Sequence, residues 1–196
     1  MKKIKTTATA SKVEAKAQQM KKGGVVGSVV ENSNLPFHIV EEKVMSGKTK
    51  DAVKFIQDLV NNGNSDAAYY LAKLYMEGDV VKQNVQKGVM YLQQAADLGN
   101  LKAMMEIARS GYIYAKDKAE REKVFDWFHK AALKGNAEAE MIISYLYLTG
   151  YGCEECKTLA DMWHLKARID DFDETKVFEI LGTNNFNNDN DFDYDK

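Results

Sequence analysis

Cys153 and Cys156 form a C-x-x-C pattern, which is the arrangement in this sequence with the clearest chemical potential. Such a pair serves as a redox couple or supplies half of a zinc site, and a structural zinc ion needs four ligands. The sequence offers no second pair, and only His129 and His164 are nearby nitrogen ligands. The two intervening glutamates raise rather than lower a thiol pKa. We therefore predict a structural role, and a disulfide, a metal site and a thiol-redox or hydrolase centre stay open as alternatives.

Other catalytic patterns are missing from the sequence. The three histidines, which include His38, have no Ser or Cys nucleophile at the spacing of a catalytic triad. The stretch Gly23-Gly-Val-Val-Gly27 lacks the Lys-Ser/Thr pair and the strand context of a phosphate-binding loop. We therefore predict a protein that is not an enzyme and that holds no cofactor and no metal.

The composition is that of a globular protein with long helices. The chain has 196 residues, of which 45% are hydrophobic, with a net charge of −2 and a single proline. The length fits one domain of about 100–200 residues. No apolar run approaches the ~20 residues of a membrane-spanning helix, and the polar residues after the first lysines do not form a secretory signal. We expect a cytoplasmic location and no membrane partner.

Both ends of the chain differ in composition from its middle. Residues 1–22 carry seven lysines and one glutamate, whereas residues 182–196 are mostly Asn and Asp with isolated aromatic residues. Such segments cannot bury enough apolar surface to offset their ordering entropy. We predict a flexible basic segment over 1–30, an ordered domain over 31–181 and a disordered acidic tail over 182–196. The basic segment lacks arginine and aromatic residues, so we expect no nucleic-acid partner.

A repeat of 36 residues organises the middle of the chain. Its most regular marker is the dipeptide Gly-Asn, which occurs at 63–64, 99–100 and 135–136. Other columns keep the same step, among them Ala67, Ala103 and Ala139, and an aromatic series of Phe55, Tyr91, Trp127 and Trp163. A fixed period of this length is typical of architectures built from one repeated supersecondary unit.

Each repeat is predicted to be a helical hairpin. Apolar residues recur every three or four positions, which produces one apolar stripe on each of two helices. The glycine of each Gly-Asn suits the left-handed position that ends a helix, and the asparagine can cap the next one. Gly78 and Gly150 permit the turn inside a hairpin. In this register the two cysteines replace a small buried residue and the predicted helix cap Asn84.

The pattern Ala-x-x-x-Leu-Ala-x-x-Tyr-x-x-Gly at 67–78, continued by Ala-Ala-x-x-Gly at 95–99, resembles the Sel1-like repeat, a relative of the tetratricopeptide repeat. Residues 137–170 match again. The middle unit has Gly111 in place of the expected Tyr and Tyr114 in place of the expected Gly, so the resemblance does not predict its inter-helix turn. The resemblance implies an all-α fold, a right-handed α-α superhelix of hairpins. Its units are predicted at about 65–100, 101–136 and 137–170, with a divergent N-terminal unit and a C-terminal capping helix.

The resemblance also implies a concave face, formed by first-helix residues that lie beside the core stripe. Met, Tyr and Arg, which all occur on it, are enriched at protein interfaces. Helical spacing alone also allows these side chains to complete the packing between helices. Lys73 and Arg109 would suit a peptide with an acidic group and an apolar anchor, and the acidic tail is one such peptide. The predicted groove residues are Tyr69, Lys73, Met76, Met105, Arg109, Tyr112, Met141, Tyr145 and Leu148.

The sequence therefore predicts a non-enzymatic scaffold or adaptor that binds another protein, or a peptide segment of one, in this groove. Two alternatives from other classes stay open. One is an inhibitor or immunity protein that neutralises a specific enzyme. The other is a hydrolase or thiol-redox protein that uses Cys153 and Cys156. The sequence leaves the oligomeric state open.

Overall fold

The computed structural model describes residues 37–169 and Leu181. These residues form α-helices joined by short connections, without a strand among them, and the predicted all-α fold of helical hairpins is confirmed. The predicted segments 1–30 and 182–196, and the capping helix apart from Leu181, lie outside the described residues. The helices are α1 Phe37–Met45, α2 Thr49–Asn61, α3 Ser65–Glu77, α4 Val85–Asp97, α5 Leu101–Tyr114, α6 Lys118–Leu133, α7 Ala137–Thr149 and α8 Lys157–Ile169.

The Gly-Asn dipeptides separate the hairpins as predicted. Each glycine has a positive φ, between 79° and 94° for Gly63, Gly99 and Gly135, which a residue with a Cβ adopts only under strain. Each following asparagine caps the next helix: its Oδ1 accepts a hydrogen bond from the backbone N–H three residues later, at 2.8 to 3.0 Å. The Gly-Asn dipeptides recognised in the sequence therefore mark the starts of α3, α5 and α7, which their asparagines cap.

The turns inside the hairpins are of two kinds. In α3–α4 and α7–α8, Gly78 and Gly150 end the first helix in the left-handed conformation, and a longer loop follows. The middle hairpin, α5–α6, is connected by residues 115–117 alone, and the side chain of Asp117 caps α6 by accepting from the Glu120 N–H at 2.8 Å. Gly111 lies inside α5, where a Cβ would meet Val124 Cγ2 at 2.7 Å. The glycine therefore allows α5 and α6 to approach each other closely.

The core of the repeats lies one residue away from the aromatic series seen in the sequence. The series Phe55, Tyr91, Trp127 and Trp163 is half-buried. The following positions are the buried ones: Ile56, Leu92, Phe128 and His164. Small residues complete the core, because alanines at 67, 103 and 139 are fully buried and let the helices pack closely.

The chain divides into two compact units, with the boundary between Met104 and Met105 inside α5. In unit 1 the described part begins at residue 37 and contains α1 to α4. Unit 2 contains most of α5 and α6 to α8, and Leu181, which is buried, belongs to it. Each unit is described below by itself.

Candidate functional site

Three predicted groove residues lie in unit 1, on α3. Tyr69 is buried, and the ammonium group of Lys73 lies 5.6 Å from the centre of its ring. Met76 is half-buried and lies against α4 at Gly88, where a Cβ would be only 2.5 Å from Met76 Cγ. Lys73 and Met76 therefore supply the accessible part of this face, and Tyr69 fixes the position of Lys73 by a cation–π contact.

The other six predicted groove residues lie in unit 2, on α5 and α7. Met105, Met141 and Tyr145 are buried, so most of their surface is already in contact within the chain. Arg109, Tyr112 and Leu148 are half-buried. The guanidinium group of Arg109 forms an ion pair with Glu138 of α7.

A cluster of tyrosines joins α5, α7 and the α7–α8 turn. The rings of Tyr112 and Tyr151 are 4.7 Å apart, and the Tyr151 hydroxyl donates to the Tyr112 carbonyl oxygen at 3.3 Å. Burial raises the pKa of Tyr112, and its hydrogen bond with Tyr145 opposes this rise in part. Burial and the nearby Tyr112 raise the pKa of Tyr151, which the cation of Arg121 opposes. These phenols are therefore neutral hydrogen-bonding groups at physiological pH.

Two members of this region were missed by the sequence analysis. Neither Glu138 nor Tyr151 is among the predicted groove residues. Glu138 is one of two acidic residues in the first turn of α7, and charge alone does not show which of them faces Arg109. Tyr151 follows Gly150 directly, and its direction depends on the left-handed conformation of that glycine.

The two cysteines are half-buried and unpaired. Cys153 Sγ donates to the Leu146 carbonyl oxygen at 3.4 Å, and burial, helped by the neighbouring Cys156, raises the Cys153 pKa to about 11. A thiol with this pKa stays protonated at neutral pH, so it is a poor nucleophile and a poor metal ligand. Cys156 directly precedes α8, and its carbonyl oxygen accepts from the Ala160 N–H at 3.0 Å, as expected for the predicted cap position.

The nearby histidines take part in packing. The His129 ring lies 5.5 Å from the Phe125 ring and 5.7 Å from the Trp163 ring, and His164 is buried. Among residues 37–169 and Leu181, no group of three or more His, Cys, Asp and Glu side chains is arranged to hold a metal ion. In the same part of the chain, no helix is long and apolar enough to cross a membrane.

An ion pair between a buried carboxylate and an exposed lysine lies in the last hairpin. Glu140 of α7 is fully buried, and the Lys166 ammonium group of α8 lies 2.6 Å from its Oε1. Lys166 also contacts the face of Trp163, 4.9 Å from the ring centre. Neither residue of this pair was predicted to be functional. One repeat earlier the corresponding residues are Met104 and Lys130, so the register gave no sign of a buried charge.

The repeat geometry and the sequence agree with one family. The sequence model of the Sel1 repeat matches residues 65–100, 102–136 and 137–167, which together exceed half of the chain. The chain therefore belongs to the Sel1 repeat family, as the resemblance predicted. Proteins of this family are generally scaffolds for protein–protein interaction and are typically non-catalytic.

Two curated fungal proteins are similar over the repeat region. The chitin synthase regulator SKT5 of Saccharomyces cerevisiae is 30% identical over 121 residues, which is 60% of this chain and 17% of that protein. Chitin synthase regulatory factor 1 of Schizosaccharomyces pombe is 24% identical over 130 residues, which is 61% of this chain and 27% of that protein. The similarity therefore spans about a quarter or less of either relative.

A solved Sel1 repeat protein from Oxalobacter formigenes has a similar fold. The two structures superpose with a TM-score of 0.56 at 22% identity, over 66% of this chain and 96% of the other. At this identity the similarity concerns the arrangement of helices and not the ligands.

Proposed function

We propose that this chain is a non-enzymatic scaffold that binds a segment of a partner protein through the exposed faces of its first helices. The accessible groove residues are Lys73 and Met76 in unit 1 and Arg109, Tyr112 and Leu148 in unit 2. Tyr69, Met105, Met141 and Tyr145 are buried and hold the accessible residues in place. The proposal extends the general property of the family to these particular side chains.

The observation that carries the proposal is the ordered cluster around Arg109 and Tyr112. Glu138 and Tyr145 fix these two side chains by an ion pair and a hydrogen bond, so little conformational entropy is left to lose on binding. Arg and Tyr are also the residue types that most often dominate binding energy at interfaces. A partner segment with a carboxylate and an apolar side chain fits this cluster.

The fungal relatives favour a partner that is itself an enzyme. Both are named as regulators of chitin synthase, and both match this chain within its repeats. We propose that the chain acts in the cytoplasm as an adaptor or regulator bound to such an enzyme. Inhibition of a specific enzyme is the second candidate, and it uses the same face.

Site-specific photo-crosslinking tests the proposal. A benzophenone amino acid is placed at Lys73 or Leu148 on the first helices, and at Val89 or Leu133 on the second helices as matched controls, since both controls are well exposed. We expect a partner protein to crosslink through the first-helix positions and not through the controls. Crosslinks confined to the second helices, or absent from all four positions, would contradict the proposal.

A substitution series separates the cluster from the rest of the face. Arg109→Ala should weaken binding of the crosslinked partner by about tenfold or more, because truncation of such an anchor costs about 2 kcal/mol. Arg168→Ala is the control, since Arg168 is an exposed arginine in the same unit that lies outside the predicted groove. Equal loss of affinity in the two variants would mean that binding depends on the net charge of the chain and not on Arg109 in particular.

A further inference from the structure

Unit 1 contains a groove that is distinct from the predicted first-helix face. It has a volume of about 630 Å³ and lies between the first half of α2, Tyr75 near the end of α3, and the α3–α4 turn. We refer to it as the lysine groove. It is lined by Thr49, Lys50, Val53, Gln57, Tyr75, Val81, Lys82, Gln83, Asn84 and Lys87.

The charge of the lysine groove is of one sign. Lys50, Lys82 and Lys87 line it, and no carboxylate is among the described residues that line it. Within the part of the chain that the structure describes, none of the three ammonium groups has a carboxylate within 4.0 Å. Three cations gathered around one concavity repel one another, and among residues 37–104 no ion pair compensates them there.

Two of these lysines stand where a cation is unfavourable for the helix. Lys50 is the second residue of α2 and Lys87 the third residue of α4, next to the positive ends of the two helix dipoles. The first turn of α4 has no acidic residue, whereas that of α2 contains Asp51 beside Lys50. Residues that destabilise their own helix, and that no neighbouring contact compensates, are expected where they serve a function. An anionic ligand would remove this conflict at the start of α4.

The floor of the groove is aromatic and held in place. The Tyr75 ring stacks on Tyr91, with ring centres 5.7 Å apart and planes 5° apart, and Gln57 Nε2 donates to the Tyr91 hydroxyl at 3.2 Å. Lys87 Nζ lies 5.4 Å from the centre of the Tyr75 ring. Val53 and Tyr75 therefore offer a half-buried apolar surface in the middle of the three cations.

We propose that the lysine groove binds an extended acidic segment of a partner protein, with carboxylates at the three lysines and one aromatic or aliphatic side chain against Val53 and Tyr75. The combination of separated point charges with an apolar floor fits alternating acidic and apolar side chains. A nucleic acid is the poorer match, because the lining contains no arginine and the chain has a net charge of −2. The binding mode does not depend on the first-helix face.

Fluorescence anisotropy with the full chain tests the proposal. The probe is a labelled peptide of about ten Asp and Glu residues with one central Phe, the length of a segment that crosses such a groove. Its controls are the same peptide with Asn and Gln in place of the acids, the same peptide with Ala in place of Phe, and a single-stranded oligothymidylate. We expect saturable binding of the acidic Phe peptide, weaker binding of both peptide controls, and loss of affinity with added salt.

A pair of triple variants locates the binding. Lys50→Gln/Lys82→Gln/Lys87→Gln should weaken binding by about tenfold or more, if each exposed pair contributes up to about 1 kcal/mol. Lys116→Gln/Lys123→Gln/Lys134→Gln removes the same charge at exposed positions of unit 2 and should change affinity by less than twofold. Circular dichroism should show both variants folded, because all six lysines are exposed.

Three results would overturn the proposal. Equal weakening by both triple variants would mean general electrostatic attraction. Absence of saturable binding by the wild-type chain would mean that the groove does not recognise acidic peptides. Tighter binding of the oligothymidylate than of the peptide, with the same dependence on the three groove lysines, would assign the groove to nucleic acid.

Discussion

The hairpins α3–α4 in unit 1 and α7–α8 in unit 2 stand two repeats apart and share one backbone turn. Gly78 and Gly150 both adopt the left-handed conformation at the end of the first helix. The Asn84 N–H donates to the Tyr75 carbonyl oxygen at 2.8 Å, and the Cys156 N–H makes the equivalent bond to Tyr147 at 2.9 Å. The frame of the turn therefore depends on a glycine and a main-chain hydrogen bond, not on the side chains that follow.

The side chains around this common frame differ in charge. Lys82 of the α3–α4 turn corresponds in register to Glu154, Lys87 of α4 to Leu159, and Lys50 of α2 to Glu122. The positive charge of the lysine groove is thus a property of unit 1 and not of the repeat. Because the turn conformation depends on the backbone, the side chains of each turn can differ and can suit different ligands.

The two turns also differ in how closely they approach the preceding helix of their own unit. Position 152 is glycine, and a Cβ there would lie 2.2 Å from the carbonyl oxygen of Arg121 in α6. Unit 1 has Val80 at the same register position. In unit 2 the Phe125 ring, 5.2 Å from the Tyr147 ring, stands where unit 1 has Val53. In unit 2, the region that corresponds to the lysine groove therefore contains the Phe125 ring and a turn backbone that lies against α6.

The largest expected effect follows from this close approach. Gly152→Ala should lower the free energy of unfolding by about 4 kcal/mol, because it adds a Cβ against the α6 backbone and places that residue at a φ of 72°. Gly63→Ala is the control: its φ is 83°, but no atom lies within 4 Å of an added Cβ, so it should lose about 1 kcal/mol. Denaturant unfolding measures both. Equal losses would mean that the α7–α8 turn is not pressed against α6.

The ion pair of α7–α8, in which the carboxylate is buried, should give the next effect. Glu140 and Lys166 correspond to Ala68 and Gln94 of α3–α4. Lys166→Met should lower the free energy of unfolding by about 3 kcal/mol, because it leaves a fully buried carboxylate without its cation. Lys130→Met is the control, since Lys130 also lies over a tryptophan, Trp127, but is one repeat earlier and has no buried carboxylate.

The double variant Glu140→Ala/Lys166→Gln copies the residues of unit 1 into unit 2. It should recover most of the stability lost in Lys166→Met, because the buried carboxylate is removed together with its cation. Failure of this variant to recover stability would mean that the last hairpin needs the ion pair for more than charge compensation. Thermal and denaturant unfolding of the variants give the comparison.

Substitutions at the N-caps of α4 and α8 should change the free energy of unfolding by less, and in opposite directions. The Asn84 side chain accepts from the Lys87 N–H at 3.0 Å, whereas unit 2 has a cysteine at the equivalent position. Asn84→Ala should cost about 1 kcal/mol, and Cys156→Asn should gain up to about 1 kcal/mol by adding a cap to α8. If neither variant changes the free energy of unfolding, the main-chain bonds to Tyr75 and Tyr147 are sufficient to start α4 and α8.

The sequence predicts the repeat frame well because the frame depends on local chemistry. Gly63 and Asn64 need only their own backbone conformation and one hydrogen bond, and this signal recurs twice at the same period. The middle turn was not predicted, since its form depends on Gly111 meeting Val124 across two helices. A local sequence pattern predicts where helices begin and end, but it does not predict which helices contact each other.

The candidate site was less predictable for the same reason. A helical period of about 3.6 residues places neighbouring columns only 100° apart, so Trp127, half-buried, and Phe128, fully buried, could not be distinguished. The same limit applies to the groove, where Met141 is buried and Leu148 is half-exposed. Neither the Arg109–Glu138 pair nor the lysine groove leaves a pattern within one repeat, because each is assembled from several helices.

The smallest expected effect is a pH dependence of the Tm, which should arise in the α7–α8 turn because it contains a thiol where the α3–α4 turn has a valine. Cys153, with a pKa raised from 9.0 to about 11 by burial, replaces Val81 of unit 1. An unfolded chain loses this thiol proton near pH 9, while the folded chain keeps it, so the stabilising contribution is complete below pH 9 and is lost as the pH rises towards 11. The Tm should therefore fall between pH 9 and pH 11. Cys153→Val, which copies unit 1, should reduce that fall, whereas Cys156→Val should change it less. An unchanged pH profile in Cys153→Val would mean that the tyrosines with raised pKa, such as Tyr147 and Tyr151, account for the dependence.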